Sequence, residues 1–147
     1  MILLQEIDED NWLDCIELEH ENRRFVESAV FNLADAYVSR HYMTAYGIYN
    51  ECTIVGMVLV RNEPANYTKN YAFTEFFIAD NYLRKGYGRK AVAALLAMLK
   101  NEKGFDVARI CVDEENYIAL KFFKKCGFIE ESGACWDSRY IDFSIRL

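Results

Sequence analysis

The sequence predicts a single α+β domain over residues 1–147, with a mixed, mostly antiparallel sheet and about four helices laid on it. Three observations predict it. Short apolar runs of strand character are interleaved with stretches whose apolar residues recur at helical spacing. Turn or loop residues punctuate the chain between segments, at Asn50–Glu51, 63–66, Gly104, Gly127 and Gly133. The chain has one proline, Pro64, and no Gly/Ser-rich linker, internal repeat or low-complexity tract, so nothing divides it into two units.

The elements follow in order. Residues 2–7 form an apolar first strand, and Asp8 or Asp10 can cap a helix running to about Glu21. Ser28 precedes a second helix, in which Phe31, Ala34 and Val38 keep the helical spacing. Residues 46–49 and 53–61 read as a hairpin joined at Asn50 and Glu51, and residues 63–66 as a loop. Residues 71–79 are nearly continuous in apolar and aromatic side chains, the pattern of a strand covered on both faces. A helix over 86–101 carries Val92, Leu95, Leu96 and Leu99 in one stripe and is ended by Gly104. Residues 107–112 form the next strand. Ala119, Phe122, Phe123 and Cys126 mark a last helix, closed by Gly127. Residues 128–131 and 140–146 are final strands around a turn at Gly133.

Composition excludes several classes. Apolar residues make up 52% and aromatics 15%, which supports a packed core and excludes disorder. A formal net charge of −6 is unlike a nucleic-acid binder and suits a cationic partner. No apolar run reaches the ~18 residues that span a bilayer. The opening MILLQEIDED lacks a basic n-region, so no signal peptide is expected and the cytoplasm is the expected location. The five cysteines are odd in number and include no CxxC pair, which reads as reduced thiols with neither a disulfide framework nor a metal site. His20 and His41 have no matching acid or thiol beside them and read as surface residues. Covalent relay chemistry is therefore not expected.

The segment that carries most chemistry is Leu83, Arg84, Lys85, Gly86, Tyr87, Gly88, Arg89, Lys90. A buried strand ends, a short loop follows, and a helix begins at two glycines. Glycine lets backbone N–H groups approach an anion with no Cβ in the way. The first turn of a helix leaves N–H donors unpaired at the positive end of its dipole. Phosphate is the natural ligand of such a site. Arg84, Lys85, Arg89 and Lys90 place four cations in an otherwise acidic chain. The third glycine of GxGxxG and the GK[ST] of the P-loop are both absent.

The loop resembles that of the GNAT family of N-acetyltransferases, in which Gln or Arg and two variable residues precede Gly-x-Gly. A second family signature matches too: Asn116 after the next strand, then a helix ending in Gly127 and Phe128. Residues 25–37, with 46–49 and Val55–Gly56, more loosely resemble the bacterial spermine/spermidine (diamine) acetyltransferase branch. The resemblance implies a sheet with splayed central strands and acetyl-CoA as cofactor. It implies that the backbone of Phe77, Ile78 and Ala79 binds the pantetheine arm. The pyrophosphate falls to Arg84, Lys85, Gly86, Tyr87, Gly88 and Arg89, and a hydrogen bond to the pantetheine or substrate side falls to Asn116. The acceptor is implied to be a small-molecule amine, best a polyamine, attacking the thioester directly in a ternary complex. Relatives often pair as homodimers.

Two departures matter. Leu83 stands where the family has Gln or Arg. Phe123 stands beside the cofactor where many members place a tyrosine that protonates the departing thiolate. Phe123 reads equally as core, and Tyr117 is either a substitute donor or a surface residue. A thiol pKa of ~8.5 makes the thiolate a fair leaving group unassisted.

An attacking amine must be neutral, and alkyl amines titrate near ~10.4, so a base is needed. Glu75 interrupts an apolar run and is either the base, as a glutamate is in a similar run of histone-type members, or a salt-bridged sheet carboxylate. Glu27 and Asp35, and more weakly Glu114, are candidates for gripping a cationic substrate. The alternatives are an acetyl-CoA-binding protein that has lost catalysis, and an acetyltransferase for an amino acid, an antibiotic, a protein N-terminus or a lysine.

Overall fold

The computed structural model describes residues 1–62, 71–131 and 137–147. Two antiparallel ladders organise the chain. The first has the order β1 (Ile2–Glu6), β2 (Met43–Asn50), β3 (Thr53–Arg61), β4 (Phe73–Ile78). The second has β5 (Val107–Asp113), β7 (Tyr140–Arg146), β6 (Ile129–Glu131). They meet near the starts of β4 and β5, where the Ala72 N–H donates to the Arg109 carbonyl at 2.8 Å. Beyond that bond no ladder joins β4 to β5 among the described residues, and the two strands splay as expected.

Among the described residues four α-helices cover the sheet: α1 (Trp12–Ile16), α2 (Ala29–Val38), α3 (Tyr87–Asn101) and α4 (Tyr117–Lys125), with a 3₁₀ turn at Asp80–Tyr82. The alternation of β3 sorts the core into two layers. Val58 and Val60 pack with Leu95, Leu99, Phe123 and Phe143 on one face. Met57 and Leu59 pack with Cys15, Ala29, Ala36 and Phe77 on the other. Gly56 is required where β3 and β4 cross closely, since a Cβ there would lie 2.2 Å from the Phe77 carbonyl oxygen.

Several expectations are corrected. The first helix starts after Asn11, not Asp8 or Asp10, and ends at Ile16 rather than near Glu21. Beyond it Leu18 and His20 turn inward, and the Glu19 carbonyl accepts from the Asp80 N–H at 2.9 Å, which ties this stretch to the end of β4. His20 is therefore buried, whereas His41 is exposed as expected. The hairpin begins earlier, at Met43. The strand expected over 71–79 shortens to Phe73–Ile78, and Thr74, Glu75 and Phe76 are only partly covered because they border the splay. Cys111 is disulfide-bonded, contrary to the reading of five plain thiols, because spatial neighbours are invisible to linear spacing. The loop at 63–66 and the turn at Gly133 lie outside the described residues.

Candidate active site

The splay makes two cavities that share a wall. The first, of about 680 Å³, runs along Phe76, Phe77 and Ile78 to the start of α3 and the flank of α4. The second, of about 390 Å³, fills the wedge between Thr74–Phe76 of β4 and Ile110–Asp113 of β5. Phe76, Asn116, Ala119 and Phe123 line both. An aromatic cluster holds this wall: Phe76 lies 6.0 Å from Phe122 and 6.3 Å from Phe123, and Phe123 lies 5.4 Å from Phe128.

The first cavity ends at the glycine loop. Arg84 and Gly86 both take positive φ, 63° and 79°, so successive peptide groups turn in opposite senses. Such a turn gathers backbone N–H groups into an anion-binding concavity. No side chain caps α3, which leaves its first-turn donors available. A Cβ on Gly86 would meet nothing within 4 Å, so the space above the loop is open. Leu83, Arg84, Gly86, Tyr87, Gly88 and Arg89 line the cavity, while Lys85 does not. Arg84, Lys85, Arg89 and Lys90 are all exposed. Gly88 fits tightly for a different reason: its Cβ would sit 3.3 Å from the Phe122 ring, where α3 packs on α4.

The backbone of β4 is used unequally. Phe77 and Ile78 pair with Met57 and Gly56 on one edge only, which leaves their other edge toward the cavity. Ala79 is already committed, with its N–H on the Val55 carbonyl at 2.8 Å and its carbonyl accepting from Tyr82 at 2.9 Å. Asn116 caps α4 by accepting from the Ala119 N–H at 3.3 Å, and its side chain faces both cavities.

Glu75 lines only the second cavity. The register runs Met57↔Phe77 and Leu59↔Thr74, so Val58 opposes two residues and Glu75 sits in a β-bulge. Its φ of 54° is a conformation that costs a non-glycine residue about 1–3 kcal/mol. Bulges re-aim side chains, and this one brings the carboxylate out of the core layers to the wedge. Burial pushes the Glu75 carboxyl above its ordinary range; the Glu27 backbone N–H, donating at 2.8 Å, and the Asn32 amide pull it back, while the charges of Glu27 and Asp35 push it further up. The net effect is that Glu75 holds a proton more readily than an ordinary glutamate.

Other candidate residues fall elsewhere. Glu27 and Asp35 line neither cavity but flank Glu75 from the α2 side. Tyr117 is 74% exposed and faces a surface hollow with Leu120, Lys121 and Lys124. Phe123, 4% exposed, occupies the wall between the cavities and contributes no proton. Sequence reasoning missed Arg24 and Arg139, which line the second cavity and pair with Glu115 and Asp113. It also missed Asn22 and Val26, which line both cavities from the loop between α1 and α2. Nothing in linear spacing marks them, since they reach the wedge only through that loop's path.

The splayed sheet, the uncapped helix at the glycine loop and Glu75 in the wedge thus surround two adjoining cavities. The model of the acetyltransferase (GNAT) family matches residues 4–128. The chain belongs to the GNAT family. This acetyltransferase shares its fold with the spermidine N-acetyltransferase of Vibrio cholerae, solved with CoA and spermine (16% identity, 99% and 95% of the two chains, TM-score 0.69). The PaiA N-acetyltransferase of Thermoplasma acidophilum, solved with coenzyme A, aligns over 100% and 99% at 15% identity and TM-score 0.67. A Salmonella typhimurium acetyltransferase that modifies the N-terminal serine of a ribosomal subunit protein aligns over 99% and 95% at 14% identity and TM-score 0.72. No curated protein matches the chain in sequence. The GNAT enzyme takes its acetyl group from acetyl-CoA, and the loop fits that cofactor: open space over Gly86, free first-turn donors and a cationic rim. Among the described residues no cluster of His, Cys, Asp or Glu could hold a metal, and no helix is long and apolar enough to cross a membrane.

Proposed function

We propose that this acetyltransferase acetylates a primary amine that enters the wedge between β4 and β5, with Glu75 accepting its proton. One observation carries the reading: the two cavities share Phe76, Asn116, Ala119 and Phe123, and Glu75 borders only the second. When bound, acetyl-CoA supplies an acetyl thioester open to direct attack in a ternary complex. The chain's residues do the rest. The loop from Arg84 to Arg89 holds the pyrophosphate, and the free edge of Phe77 and Ile78 takes the pantetheine arm. Glu75 accepts one proton from the incoming ammonium; the neutral nitrogen then forms the amide bond as the C–S bond breaks, and the second proton it sheds leaves on the departing thiolate, which becomes the free thiol. Phe76 and Phe123 exclude water from the meeting point.

A polyamine is the acceptor we favour, because Glu75, Asp113 and Glu115 outnumber the cations on the wall of the wedge: Arg24 pairs with Glu115 and Arg139 with Asp113, and Glu75 is in excess. A second reading has its own support. Arg24 and Arg139 border the same wedge, and an acceptor with a carboxylate or peptide carbonyl beyond its amine would find donors there. Thiol release from acetyl-CoA, measured across polyamines, amino acids and short peptides with free N-termini, tests both. Release with spermidine or spermine above all others supports the polyamine. No release with any amine counts against the whole reading.

A further inference from the structure

Behind Glu75, away from the wedge, lies a set of polar groups that the chemistry above does not use. Glu27 lies in the loop between α1 and α2, and its N–H donates to the Glu75 carboxylate at 2.8 Å. The carbonyl of the same residue accepts twice, from His20 Nε2 at 2.8 Å and from Asn32 Nδ2 at 3.3 Å. The partner of His20 Nε2 is a carbonyl, which can only accept, so Nε2 carries the proton. His20 is 5% exposed and lies against Phe77 with ring centroids 4.3 Å apart, while Asn32 is fully buried. His20 Nδ1 and Asn32 Oδ1 are buried without partners among the described residues. Leaving such atoms unpaired is costly, and groups kept at that cost ask for a reason.

We propose that His20 and Asn32 are positioning residues for Glu75: they clamp the carbonyl of Glu27, and the N–H of Glu27 then fixes the carboxylate at the wedge. This rests on reading Glu75 as the proton acceptor. The geometry suits the task. Glu75 stands on a strained bulge, and its carboxylate, at the end of a flexible side chain, would otherwise swing. One side of residue 27 is held by a buried ring and a buried amide, and its other side holds the carboxylate. The clamp also sets the charge state. An N–H donated to a carboxylate favours the ionised form, and the Asn32 amide adds to it. Other charged and titratable groups face Glu75 from each side. Glu27 and Asp35 stand on the α2 side, and Tyr71 precedes its own strand. Asp113 and Glu115 stand across the wedge with Arg139 and Arg24. Neither His20→Phe nor Asn32→Ala alters any of those charges.

The test follows the Glu75 carboxyl by NMR in protein labelled at glutamate, the resonance being identified by its loss in Glu75→Gln. His20→Phe keeps the ring against Phe77 but removes the donor, and Asn32→Ala removes the amide. Both are expected to move the Glu75 titration to higher pH. His20→Gln, which keeps a donor near the Nε2 position, is expected to move it back. Turnover of spermidine is expected to fall about tenfold in the first two; His20 also borders the acetyl-CoA cavity, so the KM for acetyl-CoA is read in Asn32→Ala, where it is expected to change less than about threefold, as for a misplaced catalytic group. A titration unmoved in both folded variants, or His20→Gln behaving like His20→Phe, overturns the inference. Should Asn32→Ala fail to fold, the two His20 variants decide alone. A titration that moves while Glu75→Gln leaves turnover intact instead overturns Glu75 as base and leaves the clamp standing.

Discussion

The backbone N–H of Glu27 donates to the carboxylate of Glu75 at 2.8 Å, joining the loop before α2 to the bulge of β4. A residue read from the sequence as a substrate-gripping acid thus acts on the catalytic candidate through its main chain. The bond links two segments 48 residues apart.

Glu75→Gln should lower turnover by about 10²- to 10⁴-fold, the usual contribution of a positioned base, with acetyl-CoA affinity unchanged. Rate and calorimetric binding, measured side by side, check this. The same substitution should raise thermal stability at neutral pH. The folded-state pKa of Glu75 lies above its ordinary 4.5, so its stability contribution is fully present below that value and lost as pH rises through the folded pKa. Glutamine escapes that loss, and melting curves from acid to neutral pH should diverge in this sense.

Gly86→Glu should abolish acetyl-CoA binding, because it sets a negative side chain in the open space above the phosphate loop. Gly86→Ala is the control. Its φ of 79° costs alanine about 1 kcal/mol, while the added methyl meets no neighbour. Binding titrations should separate the two by more than tenfold.

Gly56→Ala should destabilise the fold rather than the chemistry. The new Cβ would lie 2.2 Å from the Phe77 carbonyl oxygen, and backbone cannot give way as a side-chain tip can. A loss of about 1–3 kcal/mol or more is expected from overpacking, read by denaturant unfolding.

Phe123→Tyr should raise turnover severalfold, since its ring stands on the wall between the cavities and a phenol there can protonate the departing thiolate. Tyr117→Phe should change turnover by less than about twofold, because that ring is 74% exposed and borders neither cavity. Thiol-release rates for the two variants, compared in one assay, test both. A large loss in Tyr117→Phe would return Tyr117 to the reaction.

Most of the fold was legible because its signals are local. The stripe of Val92, Leu95 and Leu99 announced α3, and all three are buried. The loop at Gly86 was legible for the same reason, since a helix start and its donors are properties of consecutive residues. Failures came where distant segments set local structure. A cap at Asp8 or Asp10 suggested a first helix running to about Glu21, but the helix ends at Ile16 and the chain beyond it is tied to β4 by the bond from the Asp80 N–H to the Glu19 carbonyl. His20 looked like a surface residue because nothing near it in sequence is its partner.

The sequence by itself determined the element order and the anion-ready start of α3, because each is written in short-range pattern; the pairing of that loop with Asn116 and Gly127 came from the family resemblance. Only the tertiary structure decided the rest. It opened the wedge between β4 and β5, turned Glu75 out through a bulge and left Tyr117 on the surface. It also gathered His20, Glu27 and Asn32 behind the carboxylate. Those outcomes depend on which strands pair and where a ladder slips by one residue. Such choices are made by packing across the sheet and leave no mark on neighbouring positions of the chain.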